Sequence, residues 1–258
     1  MAWRELVRQR RIIWALSLRE LATRYGRENL GFLWVIIEPL MFCASVSIMW
    51  GFIKPPYDHG IRVVPFTVTG YMPILLVRHV LLHGMYAARV NAPLLYHRQV
   101  GILQLFFARA VVETLGVTFA FLVIAAALIP TGLLPVPQDI LLVYGGWFLL
   151  ACMGFGLAMM FGSLFEIFEP VERIVSVISY IMVPASGLFY MASWVPERYR
   201  GYVTKIPFLN CEEMIRGGFF GETVKTYYDV PYTIAWAGGF VLAGLILATF
   251  VRGRVHVE

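Results

Sequence analysis

Lysine occurs only three times in 258 residues, at Lys54, Lys205 and Lys225, and never after a glycine. A Walker A phosphate loop needs that Gly-Lys pair, so the chain lacks a nucleotide site of this kind. Aspartate is as scarce: Asp58, Asp139 and Asp229 stand far apart. Paired carboxylates for glycosyl chemistry, or an acidic metal site, have little to be built from. The three cysteines show no Cys-x-x-Cys spacing and suggest no disulfide framework. Cys43 and Cys152 fall in apolar stretches, and Cys211 is expected alone in a polar loop. Neither His-Glu-x-x-His nor Gly-x-Ser-x-Gly occurs. Charged residues make up only 14% of the chain, against about 25% in soluble domains.

Apolar residues fill the gap, at 59%. They are gathered in long runs, and strand alternation is not visible. In lipid every backbone polar group must be satisfied internally, which favours helices. A crossing needs about 20 apolar residues. Six runs qualify: 30–53, 63–82, 103–129, 140–161, 174–191 and 232–251. The expectation is an all-α, polytopic membrane protein with six transmembrane helices in one domain, residues 1–258.

Residues 1–28 predict a basic amphipathic helix. Trp3, Val7, Trp14, Leu18, Leu21 and Tyr25 recur at helical steps. Seven arginines outnumber Glu5, Glu20 and Glu28. This pattern fits a helix lying on the membrane surface, a helix packed on a partner, or both. It also accounts for the net charge of +5 without nucleic acid. Lys and Arg bias sets orientation. The arginine-rich start, Arg89 and Arg98 after the second run, and Arg252 and Arg254 in the tail share one side, so both termini are expected in the cytoplasm.

The connection 192–231 is long, and its charges balance. Asn210 with Glu213 suggests a capping box. Glu212 and Arg216 have the spacing of a helical pair, and Gly217–Gly218 suggest the stop. Pro184 and Gly187 interrupt the fifth run. Short re-entrant outer helices before the last span are expected.

Ionisable groups inside apolar runs are functional candidates. Glu38 precedes Pro39 in the first run, Arg78 and His79 lie near the end of the second, and Arg109 and Glu113 sit one turn apart in the third. They read as an internal ion pair or as a polar lining for a hydrophilic substrate. The aromatics Trp34, Tyr190, Trp194, Tyr199 and Phe208 lie near run ends, as a membrane belt does, or line a passage or gate.

Three stretches carry a resemblance. Residues 26–40 read GRENLGFLWVIIEPL, residues 91–113 read NAPLLYHRQVGILQLFFARAVVE, and residues 187–221 run from GLFYMASWVP to EEMIRGGFFG. Together the chain resembles the permease of bacterial ABC-2-type exporters, in particular those for capsular polysaccharide. One departure is visible: where the family often has Asn-Pro before a histidine, this chain has Ile206, Pro207, Phe208, Leu209 and Asn210. The resemblance implies a transporter permease of the bacterial inner membrane rather than an enzyme. Residues 91–99 would form the coupling helix that seats in a separate ATPase. Leu94, Leu95 and Tyr96 would be its apolar anchor, Asn91, Arg98 and Gln99 a polar rim, and Pro93 its first turn. No cofactor is expected on this chain, with ATP and Mg on the ATPase subunits. A permease homodimer, an ATPase dimer, a lipid-linked polysaccharide, a periplasmic co-polymerase and an outer-membrane channel are the implied partners, and 192–231 the outer gate. Rival readings keep the fold but change the cargo to O-antigen, teichoic acid or a small drug, or make the chain a membrane enzyme acting on lipid or sugar.

Overall fold

A computed structural model describes residues 2–25, 31–53, 57–58, 60–96 and 100–252. The chain runs α1 (Ala2–Tyr25), α2 (Gly31–Ile53), α3 (Val63–Gly84), α4 (Ala87–Val90), α5 (Ala92–Tyr96), α6 (Ile102–Leu128), α7 (Ile140–Ile167), α8 (Val171–Ala185), α9 (Glu197–Val203), α10 (Pro207–Phe220) and α11 (Val230–Arg252). The expected purely helical fold needs one correction. Tyr57–Asp58 and Ile61–Arg62 pair as a small antiparallel hairpin, turned at Gly60 with φ 85°.

Among the described residues, four helices are long and apolar enough to cross a membrane: α3, α6, α7 and α11. The other two expected crossings fall on helices with shorter apolar stretches. The first run gives α2, with a shorter apolar stretch at Ile37–Trp50. The fifth gives α8, whose 15 residues rise only about 22 Å, short of a hydrocarbon core of about 30 Å. The reason was visible in the sequence: α8 ends beside Pro184, and Gly187 takes φ 102°.

The helices run back and forth between two ends of a bundle. One end carries α1, α4 and α5. The other carries the hairpin, where Arg62 donates to the Gly132 carbonyl of the α6–α7 connection. Helix α7 is the central post. Its capping residue Asp139 accepts from the Leu142 amide. Three glycines let three neighbours approach, since small residues allow close helix contacts. A Cβ at Gly146 would lie 2.8 Å from the Cys211 carbonyl of α10, one at Gly154 3.1 Å from Val80 of α3, and one at Gly156 2.5 Å from the Phe240 backbone of α11. Gly244 of α11 returns the contact: a Cβ there would lie 2.6 Å from the Gly156 carbonyl. Helix α3 is the core helix, 83% buried over its apolar window, whereas α11 is only 22% buried and keeps most of its apolar surface for lipid or a partner.

The long connection also departs from expectation. Helix α10 begins at Pro207 in its first turn, not at Asn210. Asn210 and Glu213 are buried within the helix and form no capping box. Gly217 and Gly218 do not stop it; α10 continues to Phe220 and ends at Gly221, φ 54°. Gly218 faces the Asp139 carbonyl instead. Cys211 is not in a polar loop but fully buried in α10.

Candidate functional site

At the α1 end, polar side chains from four segments meet. Helix α1 lies along α6 with Leu16, Ser17 and Glu20 buried, while Trp14, Leu18 and Leu21 stay exposed. One face thus packs on the bundle and another remains apolar and open. Gln104 donates to Gln9 across this contact. Arg109 of α6 pairs with Glu20 of α1, and its Nε stands 3.3 Å from Glu113 Oε1 one turn on. The other oxygen, Glu113 Oε2, faces His83 Nδ1 at 3.3 Å and His79 Nδ1 at 3.8 Å on α3.

Asn91, between α4 and α5, joins the same mesh. Its amide donates to Glu20 Oε1 at 3.1 Å and to the Ala87 carbonyl at 2.9 Å, and its oxygen accepts from Arg19. Asn91 was expected on an exposed polar rim, but it is 3% exposed. An amide with both ends bonded inside the fold fixes the knob from beneath. The Asn91 carbonyl also accepts from the Leu94 and Leu95 amides, starting α5. Pro93 is exposed in its first turn, and Leu94 and Leu95 are half-buried against the cluster around Leu16, Ala87 and Phe106. Tyr96 ends the helix. Arg98 and Gln99 lie outside the described residues. The α4 side is closed by Arg89, which contacts Glu166 and Glu169 and stands 3.8 Å above the Phe165 ring. Tyr86 donates to Glu172.

At the hairpin end, α10 carries three buried ionisable side chains. Arg216 Nη1 donates to the carbonyls of Gly187 at 2.8 Å and Tyr190 at 2.9 Å, and Nη2 to that of Leu188 at 3.4 Å. Glu213 accepts from the Ala192 amide at 3.1 Å and the Tyr227 amide at 2.8 Å. Glu212 lies 3.9 Å from Arg216, the helical pair read from spacing. Burial away from water pushes its carboxyl up to about 8 against the pull of Arg216. The guanidinium also covers Phe66, 4.1 Å from the ring centre, and Phe66 stacks on Trp194 at 4.8 Å and Trp50 at 6.0 Å.

No family model matches the chain. Curated relatives do. It is 38% identical to the capsule polysaccharide export inner-membrane protein CtrC of Neisseria meningitidis serogroup A, over 96% of this chain and 94% of that protein. It is 31% identical to the capsule polysaccharide export inner-membrane protein BexB of Haemophilus influenzae, over 95% and 93%. The polysialic acid transport protein KpsM of Escherichia coli is more distant, at 23% over 85% and 87%. The chain belongs to the family of capsule polysaccharide export inner-membrane proteins.

In this capsule export protein the five candidate aromatics are not brought together. Trp34 and Tyr199 are 60% and 53% exposed on separate elements. Trp194 is held in the Phe66 stack, and Phe208 stacks on Phe240 at 6.3 Å. Tyr190 is half-buried and lends its carbonyl to Arg216. Glu38 is exposed on α2. Arg78 stands 5.7 Å from the Tyr180 ring of α8. Sequence reading missed Glu20, His83 and the burial of Asn91. His83 had a signal, four residues after His79. Glu20 had none, because its partner Arg109 lies 89 residues away.

Proposed function

We propose that this protein is the permease subunit of an ATP-driven exporter that moves lipid-linked capsular polysaccharide across the bacterial inner membrane. The reading counts α2 and α8 with the four long helices as six crossings and places both termini in the cytoplasm. Two copies would pair around the passage, and a separate ATPase dimer would supply the fuel, since the chain has no Walker A loop. A periplasmic co-polymerase and an outer-membrane channel would continue the route.

One observation carries the mechanism: Asn91, at the root of α5, is hydrogen-bonded to Glu20, and Glu20 to Arg109. A push on α5 is thereby felt by α1 through Glu20 and by α6 through Arg109, and next by α3 through Glu113 and its histidines. That is what an ATPase-driven knob requires. Leu94, Leu95 and Tyr96 would seat in the ATPase, with Pro93 and Arg98 beside them. At the far end, the segment 192–231 would gate the exit, held in shape by Arg216 and Glu213. Glu38, exposed in the single chain, would face the passage or the second copy.

The test is Leu95→Asp. The variant is expected to remain folded in the membrane but to lose co-purification with the ATPase, with polymer accumulating in the cytoplasm. Undiminished ATPase binding would refute the role of α5. Normal capsule with altered lipopolysaccharide in a deletion strain would instead identify a different cargo.

A further inference from the structure

Two histidines and a glutamate meet where α3 passes α6. His79 and His83 lie four residues apart, so their rings leave one face of α3. The rings stand edge to face with centroids 5.0 Å apart. One ligand atom from each of His79, His83 and Glu113 lies within 4.8 Å of the others. We propose that these three residues bind a divalent transition-metal ion of the zinc class, which braces α3 against α6. This inference is independent of the cargo and of the ATPase.

The donor set decides the class of ion. Two imidazole nitrogens and one carboxylate oxygen suit zinc and its neighbours, whereas magnesium and calcium take oxygen ligands. A tetrahedral ion with bonds of about 2.0–2.2 Å holds its ligands about 3.3–3.6 Å apart. His83 Nδ1 and Glu113 Oε2 already stand at 3.3 Å and His79 Nδ1 at 3.8 Å from the same oxygen, and with all three ligand atoms within 4.8 Å of one another the ion would draw the two rings together. The carboxylate is oriented for the task. Its other oxygen lies 3.3 Å from Arg109 Nε, and Arg109 is itself held by Glu20. Partners of this kind fix a ligand's direction and tune its affinity. Side-chain exposure rises from 2% at Glu113 through 14% at His79 to 36% at His83. Three protein ligands leave the fourth position of a tetrahedral ion to a further ligand, and His83 is the most exposed of the three. The competing account is a plain ion pair between Glu113 and a protonated histidine, which involves no metal.

The experiment uses the full chain in detergent, purified through an affinity tag that contains no histidine. The protein is equilibrated with zinc chloride, dialysed against metal-free buffer, and assayed by mass spectrometry for bound metal. About one zinc ion per chain is expected to remain, and zinc is expected to raise the melting temperature. His83→Gln and Glu113→Gln should each bring retention to background, while His97→Gln and His256→Gln keep it. Zinc retention no higher than a protein-free blank overturns the proposal, and so does full retention by the His79→Gln/His83→Gln pair. If the variants fail to fold, wild-type retention and the zinc-induced melting shift still decide the matter, since neither needs a substitution.

Discussion

The two ends of the bundle hold their buried charges in opposite ways. Near α5, Glu20 of α1 bonds side chain to side chain with Asn91 and with Arg109 of α6, and Glu113 pairs with Arg109 one turn along α6 and faces the α3 histidines. Near the hairpin, Arg216 and Glu213 bond to backbone, to three carbonyls and two amides of the segments around them. A mesh of side chains can exchange partners while every helix stays intact. A charge bonded to backbone fixes the path of a loop, and releasing it strands polar groups without water. The first arrangement suits a joint and the second an anchor.

The sharpest way to break this contrast is Arg216→Met. It strands the Gly187, Leu188 and Tyr190 carbonyls and leaves Glu212 without its cation. Removing one partner of a buried pair costs about 3–5 kcal/mol, so the variant is expected to be lost from the folded, monodisperse fraction on size exclusion in detergent. A melting temperature close to wild type would show that the hairpin end is no anchor. Asn91→Ala should act more mildly, at about 1–3 kcal/mol for its lost hydrogen bonds. Its expected signature is uneven: membrane levels fall slightly and capsule export falls much further. Equal losses of both would reduce the α5 end to a second anchor.

The smallest effect is one of pH. Burial raises the Glu212 carboxyl from 4.5 to about 8, so the folded protein holds its proton more tightly than the unfolded chain does. The stability from this site is fully present below 4.5 and is lost as the pH rises to about 8. Melting temperature should decline across that window, and Glu212→Gln should flatten the decline. An unchanged slope in the variant would place the titration elsewhere.

Much of the fold could be read from local pattern. The bounds of the apolar runs match α2, α3, α6 and α11 to within two residues, and α7 at its start, though α7 continues to Ile167, because lipid demands unbroken apolar stretches. Local charge spacing also gave the Arg109–Glu113 and Glu212–Arg216 pairs. It did not give their setting. Spacing says only that Glu212 and Arg216 can pair; both are buried, because α10 is pressed between α7 and the turn at Gly187. The start of α10 had a local signal that was outweighed: Pro207 favours a first helical turn, while Asn210 and Glu213 imitate a cap. The candidate site was half legible. Leu94–Tyr96 stood out as an apolar bump, but the bonds from Asn91 and Arg109 to Glu20 join positions 71 and 89 residues apart. Pairings at that range leave no periodic trace in a single sequence.

The contact between Gly156 and Gly244 constrains how the molecule can move. With no Cβ on either glycine, the α7 and α11 backbones come close together at that level, and the Met159 side chain packs beside Gly244 one turn on. The two helices behave as one double-walled strut, and any widening of the bundle must open along seams where side chains, not glycines, form the boundary.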